Sequence, residues 1–313
     1  MLSIYNTNLE TGKLEETEEL KRGAWINLTH PTEDEIKYIC GKLEIEEDFV
    51  RYPLDYEEQS RIDVEDDLTL FVIDIPVIDN SKDETLYTTI PLGLIVVRDD
   101  YFITVSLKKN RVIEDFEKGK VKGFFSYKKT RFILQIFYLT ASYYLDTLKK
   151  LNRESENTVD LLQKSMKNKE LTRLLGIEKS LVYIATSLKS NENVMEKTLR
   201  GKIIKLYDED EDILEDSITE NRQAMEMTKI YSDILSSTMD AYASMISNNL
   251  NVVMKFLASV TILLSIPTFI ASFWGMNVPV PLAQNPFGFL GIFGGSFLIC
   301  LLAFIWLKKK DMI

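Results

Sequence analysis

Phe256-Leu257-Ala258-Ser259-Val260-Thr261-Ile262-Leu263-Leu264-Ser265-Ile266-Pro267-Thr268-Phe269-Ile270-Ala271-Ser272-Phe273-Trp274 opens a run of 52 residues, 256–307, with no Asp, Glu, Lys or Arg. A helix that crosses a bilayer needs ~20 predominantly apolar residues. The run supplies two such segments, 256–274 and 287–307. The twelve residues between them, Gly275-Met276-Asn277-Val278-Pro279-Val280-Pro281-Leu282-Ala283-Gln284-Asn285-Pro286, hold three prolines and a glycine, which break continuous helix. A helical hairpin buried in a soluble core is the alternative. Two long uncharged runs closed by Lys308-Lys309-Lys310 favour two membrane spans.

Charge then sets the direction. The connecting loop, 275–286, carries no Lys or Arg, whereas Lys255 flanks the first span and three lysines follow the second. Both termini are therefore expected in the cytoplasm, with 308–313 as a basic cytoplasmic tail. No apolar stretch follows Met1, so no signal peptide is expected. Glu10, Glu15, Glu16, Glu18 and Glu19 do not suit a mitochondrial transit peptide. A bacterial or archaeal cytoplasmic membrane is the expected location.

Upstream of the run the composition changes. The whole chain of 313 residues has 37 Lys+Arg against 48 Asp+Glu, a net charge of −11. Setting aside Lys308, Lys309, Lys310 and Asp311 leaves 34 basic and 47 acidic residues in 1–255, a net charge of −13. An acidic body of this kind lacks the basic face that nucleic acid requires. One His (His30) and two distant Cys (Cys40, Cys300) rule out a dedicated structural zinc site and a disulfide framework. They also argue against triad catalysis, so no enzyme activity is expected.

Within residues 1–125, Trp25–Leu28, Leu68–Val77, Leu92–Val97 and Tyr101–Ser106 are rich in β-branched and aromatic residues and bounded by turn formers. Thr32-Glu33-Asp34-Glu35 before Ile36, Ile39 and Leu43 predicts a capped helix start. This part is expected to be an α/β domain with a partly antiparallel sheet, including a hairpin around Arg98-Asp99-Asp100. Residues 127–168 and 170–200 predict two long helices, so that 126–201 forms a helical region. From Lys202 to Ile266 there are 65 residues without Gly or Pro. As one helix they span ~100 Å, too long for one small domain to cover. Segment 202–274 is thus expected to be a stalk that continues into the first span and packs against copies of itself. The fold class expected is an α+β membrane protein: an N-terminal cytoplasmic α/β domain, a long helical stalk and two C-terminal transmembrane helices.

One face of that stalk is polar. Asp240, Ser244, Ser247, Asn251, Met254, Ala258, Thr261, Ser265, Thr268 and Ser272 recur at alternating spacings of four and three, and so line one side of a slowly drifting helix. Small hydroxylated residues also serve plain helix packing in a bilayer. A carboxylate at the inner end (Asp240) and a carboxamide beyond the outer end (Asn277) favour a pore lined by one helix per subunit. Its oxygen donors suit hard cations, magnesium above all, which keeps several of its waters. An anion pore would want rings of Arg or Lys, and 256–307 has none. Lys255 is expected on the outside of the stalk, snorkelling toward headgroups.

Gly275-Met276-Asn277 directly after the first of two C-terminal spans resembles the signature of the CorA magnesium transporter family. Asn251-Val252-Val253-Met254-Lys255, Pro267-Thr268-Phe269-Ile270-Ala271 and the lysine-rich end strengthen the resemblance, which is close over roughly 235–310 and extends in plan over the whole chain. It implies a funnel-shaped homopentamer in the lipid bilayer, through which hydrated divalent cations pass inward without nucleotide. In that likeness Gly275, Met276 and Asn277 form the outer selectivity ring, Asn251 and Thr268 form polar rings, and Met254 with Leu257 forms an apolar gate. Asp240 matches a stalk carboxylate facing the axis. Asp216 matches an acid that holds regulatory Mg2+ between subunits, with Glu65, Asp66 and Asp67, ahead of the strand at 68–75, as candidate partners from a neighbour. Mg2+ is then both cargo and regulator, with cobalt transport as a further property.

The chain departs from the family pattern in two places. Trp274 stands where Tyr or Phe is usual, and 278–286 holds no acidic residue. Zinc, cobalt or nickel transport on the same scaffold is one alternative, since zinc-transporting relatives share the outer motif. A membrane-anchored divalent-ion sensor that does not conduct is the other. The run Asp208-Glu209-Asp210-Glu211-Asp212 is either a solvated turn or helix end, or a weak multi-site ion reservoir. Cys300 is expected to be a small apolar packing residue. Gly288, Gly291, Gly294 and Gly295 are expected to allow close helix packing.

Overall fold

The computed structural model describes residues 1–65, 67–79, 86–165, 168–201, 203–278, 280, 285–310 and 312. The chain forms two compact units, Met1–Ser236 and Ser237–Ile313.

The first unit is built on a seven-stranded sheet: β1 (Leu2–Thr7), β2 (Leu14–Glu16), β3 (Trp25–Thr29), β4 (Arg61–Glu65), β5 (Leu68–Asp79), β6 (Leu86–Val97) and β7 (Tyr101–Ser106). Their order across the sheet is β2-β1-β3-β7-β6-β5-β4. Among the described residues, only β3 and β7 pair in parallel, Trp25 opposite Phe102 and Thr29 opposite Ser106. The β6–β7 hairpin turns through Arg98 and Asp99, both at positive φ. Sheet period 2 sends alternate residues to opposite faces. Trp25, Phe71, Ile73, Leu92, Leu94 and Phe102 enter one core, while Ile26, Leu70, Val72, Ile95 and Ile103 enter the other.

Helices cover both faces. On the second core lie α1 (Glu33–Leu43), capped by a Thr32–Glu35 capping box, and α2 (Glu47–Arg51). Against Gly93 on this face the ring of Pro53 comes so close that a Cβ would stand 2.2 Å from its Cγ. The first core is closed by α3 (Arg111–Glu117), α4 (Lys129–Ser165) and α5 (Asn168–Gly201), together with Leu214 and Ile218 of α6 (Asp208–Trp274).

Helix α6 is continuous over 67 residues but begins at Asp208, not at Lys202. Ile203, Ile204 and Leu206 pack against the first core and draw the chain out of helical register. Glu209, Asp210, Glu211 and Asp212 of the acidic run then fall at the start of α6, where carboxylates suit the positive end of the helix dipole. Arg131 pairs with Glu209 at 3.3 Å and lies 3.9 Å from Asp210.

Strand β4 stops opposite Val72, and two residues farther along β5 a side chain takes over its pairing. Asn191 of α5 accepts from Asp74 N at 2.8 Å and donates to Asp74 O at 2.7 Å. Tyr144 Oη also donates to Asp74 O, at 3.0 Å. Burial pushes the Asp74 carboxyl above the ordinary carboxylate range, and hydrogen bonds from Ser187 and Ser60 oppose the shift. A carboxyl raised on folding stabilises the fold below its unfolded pKa, and that contribution is lost as pH rises through the folded value. Asp74→Asn is therefore expected to raise stability at neutral pH, on the order of 1 kcal/mol. The gain should shrink toward acid, as thermal unfolding across a pH series would show.

In the second unit, the end of α6 is followed by α7 (Gly288–Lys309). Both are long and apolar enough to cross a membrane. Pro267 lies inside α6.

Candidate ion pathway

Proline has no N–H, so Pro267 leaves the Leu263 carbonyl, four residues back, without its helical partner. The thiol of Cys300 on α7 donates to that carbonyl, Sγ to O 3.4 Å. An unpaired carbonyl in hydrocarbon is costly, and the thiol relieves it. Cys300 is thus more than the apolar packing residue expected. The signal for it was Pro267, whose orphaned carbonyl needs a donor. Nearer the lysines, the fully buried Ser259 hydroxyl lies 2.8 Å from Lys255 O and 3.1 Å from Met312 O.

These contacts define which side of α6 meets α7. Ser259 is buried, and Leu263, Ile266, Ile270 and Trp274 are partly buried. At 100° per residue, the face they share is centred roughly 160° around the helix from the face of Met254, Ala258, Thr261, Ser265, Thr268 and Ser272. The polar stripe therefore points away from α7. Asp240, Ser244, Ser247, Asn251, Met254, Leu257, Ala258, Thr261, Ser265 and Thr268 are all exposed in the single chain. Thr261, Ser265, Thr268 and Ser272 share one open groove with Leu264 and Phe269. Lys255 falls on the α7 side of the helix and not on the stripe.

The hydroxyl protons along the stripe are committed inward. Thr261 donates to Leu257 O at 2.8 Å, Ser265 to Thr261 O at 2.7 Å and Thr268 to Leu264 O at 2.9 Å. Each hydroxyl thus turns lone pairs outward and acts as an acceptor. A row of acceptors suits the water shell of a cation and offers nothing to an anion.

Helix α6 ends at Trp274, and Gly275 N closes its last turn on Ala271 O at 2.9 Å. Gly275, Met276 and Asn277 follow immediately and are exposed. The last carbonyls of α6 and the negative end of its dipole therefore lie beside the motif. The glycines of α7 do not play the packing role expected of them within one chain: a Cβ at Gly291, Gly294 or Gly295 would meet nothing within 4 Å. Gly288 is buried.

The expected regulatory acids lie in the first unit. Asp216 is exposed on α6. Glu65 is the last residue of β4, so it ends the strand before the hairpin and does not merely precede β5; Asp66 lies outside the described residues. Asp67 sits in the turn, its carboxylate 3.8 Å from Arg98. Glu65 and Asp67 line a cleft of about 1190 Å³ with Lys129, Arg131, Glu209 and Asp210, whereas Asp216 is not part of its wall. Among the described residues, no three His, Cys, Asp or Glu side chains converge to hold a metal ion within one chain.

A mixed α/β body, a single helix running from it through a membrane-length segment, a face of hydroxyl acceptors turned from the second span and a carboxamide at the end define a two-span membrane transport protein. The model of the CorA-like Mg2+ transporter protein family matches residues 21–309, and the chain belongs to that family. It is 27% identical over 298 residues to the cobalt/magnesium transport protein CorA of Methanocaldococcus jannaschii, covering 92% of this chain and 90% of that one. The complete structure of the CorA magnesium transporter from the same organism superposes with a TM-score of 0.86 at 23% identity, over 100% of this chain and 99% of that chain. The full-length CmaX protein gives 0.69 at 14% identity over 98% and 97% of the two chains. The cytoplasmic domain of ZntB from Vibrio parahaemolyticus gives 0.59 at 13% identity over 79% and 98%.

Proposed function

We propose that copies of this chain form a homopentameric channel that passes hydrated Mg2+ passively into the cytoplasm, with both termini on the cytoplasmic side of the cell membrane. The observation that carries this reading is the acceptor stripe on the face of α6 opposite α7. Symmetry about an axis would turn that face into rings of Asn251, Thr261, Ser265 and Thr268 oxygens, with Met254 and Leu257 as the apolar constriction and Asp240 at the inner end. Gly275, Met276 and Asn277 would form the outer ring.

Such rings bond to the water shell of the ion and so avoid much of its dehydration cost. The outer loop has no carboxylate to draw cations in. The negative ends of the α6 dipoles supply that attraction, about half a charge per helix. An inside-negative potential contributes ~2.3 kcal/mol per charge per 100 mV, and about twice that for a divalent ion. The relative named for cobalt and magnesium supports Co2+ as a second cargo. Uptake by the full-length protein in liposomes, followed with an internal magnesium indicator, tests the reading. Folded protein that admits neither Mg2+ nor Co2+ nor Zn2+ at low internal Mg2+ would leave the sensor as the better account.

Closure follows from the acidic body in this reading. Asp216 would meet Glu65, Asp66 or Asp67 of a neighbour; Mg2+ bridges the acids when abundant, and their repulsion loosens the assembly when it is scarce. Asp216→Asn is expected to flatten or remove the Mg2+ dependence of closure, measured as Mg2+-dependent resistance to trypsin. An unchanged midpoint takes Asp216 out of the regulation.

A further inference from the structure

The end of α7 gathers an unusual density of one charge. Lys255, Lys308, Lys309 and Lys310 are all exposed, and none is in an ion pair among the described residues. Against these four lysines stands one nearby acid in the sequence, Asp311, which lies outside the described residues.

The lysines are held together by backbone contacts. Met312 N bonds Leu307 O at 3.2 Å, and Lys310 N bonds Leu307 O at 3.1 Å, which holds Met312 against the last turn of α7. Ser259, one turn past Lys255 on the same face of α6, is within hydrogen-bond distance of both Lys255 O and Met312 O. Leu307 is 1% exposed beneath this junction. The backbones of Lys255 and Met312 thus meet through Ser259 at one end of the helix pair, and Lys308, Lys309 and Lys310 lie just ahead of Met312 in the chain. The carbonyl end of α7 adds a favourable field for the cations it carries.

The surroundings identify what such a cluster would hold. Toward the helix interiors, off the polar stripe, Phe256, Leu301, Leu302 and Ile305 present an exposed apolar surface. Trp306 lies at the boundary, 58% exposed, in the place where indole rings sit at a headgroup layer. A free anion would use the ammonium groups and leave this apolar surface in water, whereas a two-chain phospholipid uses both. We propose that the Lys255–Lys310 junction is a binding site for the phosphate headgroup of an anionic phospholipid, with its acyl chains along Phe256 and Ile305. Because Lys255 sits between Met254 and Leu257, a bound headgroup would grip α6 at the turn that carries the proposed constriction. The binding proposal rests on α6 and α7 being membrane helices; the inner leaflet follows from the orientation proposed above.

Trp306 is the reporter. Full-length protein carrying Trp274→Phe is reconstituted in phosphatidylcholine vesicles in which brominated phosphatidylglycerol or brominated phosphatidylcholine makes up a rising fraction. Trp25 is fully buried and out of reach of the bromine. A lysine near an anionic surface is worth about fivefold in binding. Phosphatidylglycerol is therefore expected to be preferred at Trp306 by about tenfold or more, and the preference to vanish in K308Q/K309Q/K310Q. The arginine triple K308R/K309R/K310R should retain it, which separates loss of charge from loss of fold. Equal quenching by the two lipids in the parent protein overturns the proposal, as does a preference that survives the glutamine triple. Abolition of the preference by millimolar inorganic phosphate would mark a free-phosphate site and overturn the lipid assignment. These readouts hold whichever way the protein faces, and failure of transport would leave them unaffected.

Discussion

Asn277→Ala is expected to lower Mg2+ uptake into liposomes more than tenfold while leaving the assembly intact. The substitution removes one carboxamide oxygen per subunit, directly after the end of α6 at Trp274. One hydrogen bond is worth ~0.5–1.5 kcal/mol net, and the proposed ring would lose one from every subunit at once. A tenfold effect needs only about 1.4 kcal/mol at the step where the ion trades bulk water for the ring. The side chain is exposed, so its truncation leaves no cavity and little reason to unfold. Uptake driven by an inside-negative potential is the measurement, with wild type and variant matched for oligomer size. Near-normal Mg2+ uptake by the variant would move the outer ring away from Asn277.

The largest expected effect on stability lies elsewhere. Trp25→Ala should cost about 3–5 kcal/mol and lower the thermal midpoint of the detergent-solubilised chain. Trp25 is fully buried. Its ring meets Phe132 at 5.1 Å, Phe124 at 5.9 Å and Phe116 at 6.5 Å, all edge-on, and Tyr5 at 4.8 Å. Its Nε1 donates to Thr104 Oγ1 at 2.9 Å; Thr104 donates to Asn27, and Asn27 to Glu117. Alanine would thus open a cavity where β3, α3 and α4 converge and leave Thr104 one partner short. Trp25→Phe, which keeps most of the apolar volume, should lose well under half as much. A loss below about 1 kcal/mol for alanine would mean that the aromatic cluster closes over the gap.

The parts of the fold legible in the sequence were those with a strong period or a long apolar run. Tyr101–Ser106 and the Thr32 capping box appear in the structure where the residues place them, because β-branched runs and side-chain caps act locally. Edge strands were harder to see. β4 is Arg61-Ile62-Asp63-Val64-Glu65 and β2 is Leu14-Glu15-Glu16; five of their eight residues are charged, and neither buries a full face. The start of α6 depended on Ile203, Ile204 and Leu206 finding a core built from strands far away in sequence, which no local pattern encodes. The stripe was readable from spacing alone. Its direction was not: that needed Ser259 to reach Met312 and Cys300 to reach Leu263, contacts 53 and 37 residues apart in the chain.

Residues 256–307 contain no Asp, Glu, His, Lys, Arg or Tyr, and the Cys300 thiol is engaged with Leu263 O. In the proposed channel, the preference for cations across this segment would rest on where hydroxyl hydrogens point. That orientation does not titrate between weakly acidic and weakly alkaline solution, as a carboxylate-lined path would. In the proposed channel, acid would therefore reach ion flow from outside this segment. A pH dependence of transport would report on the chain beyond 256–307, not on the hydroxyl-lined stretch of the proposed path.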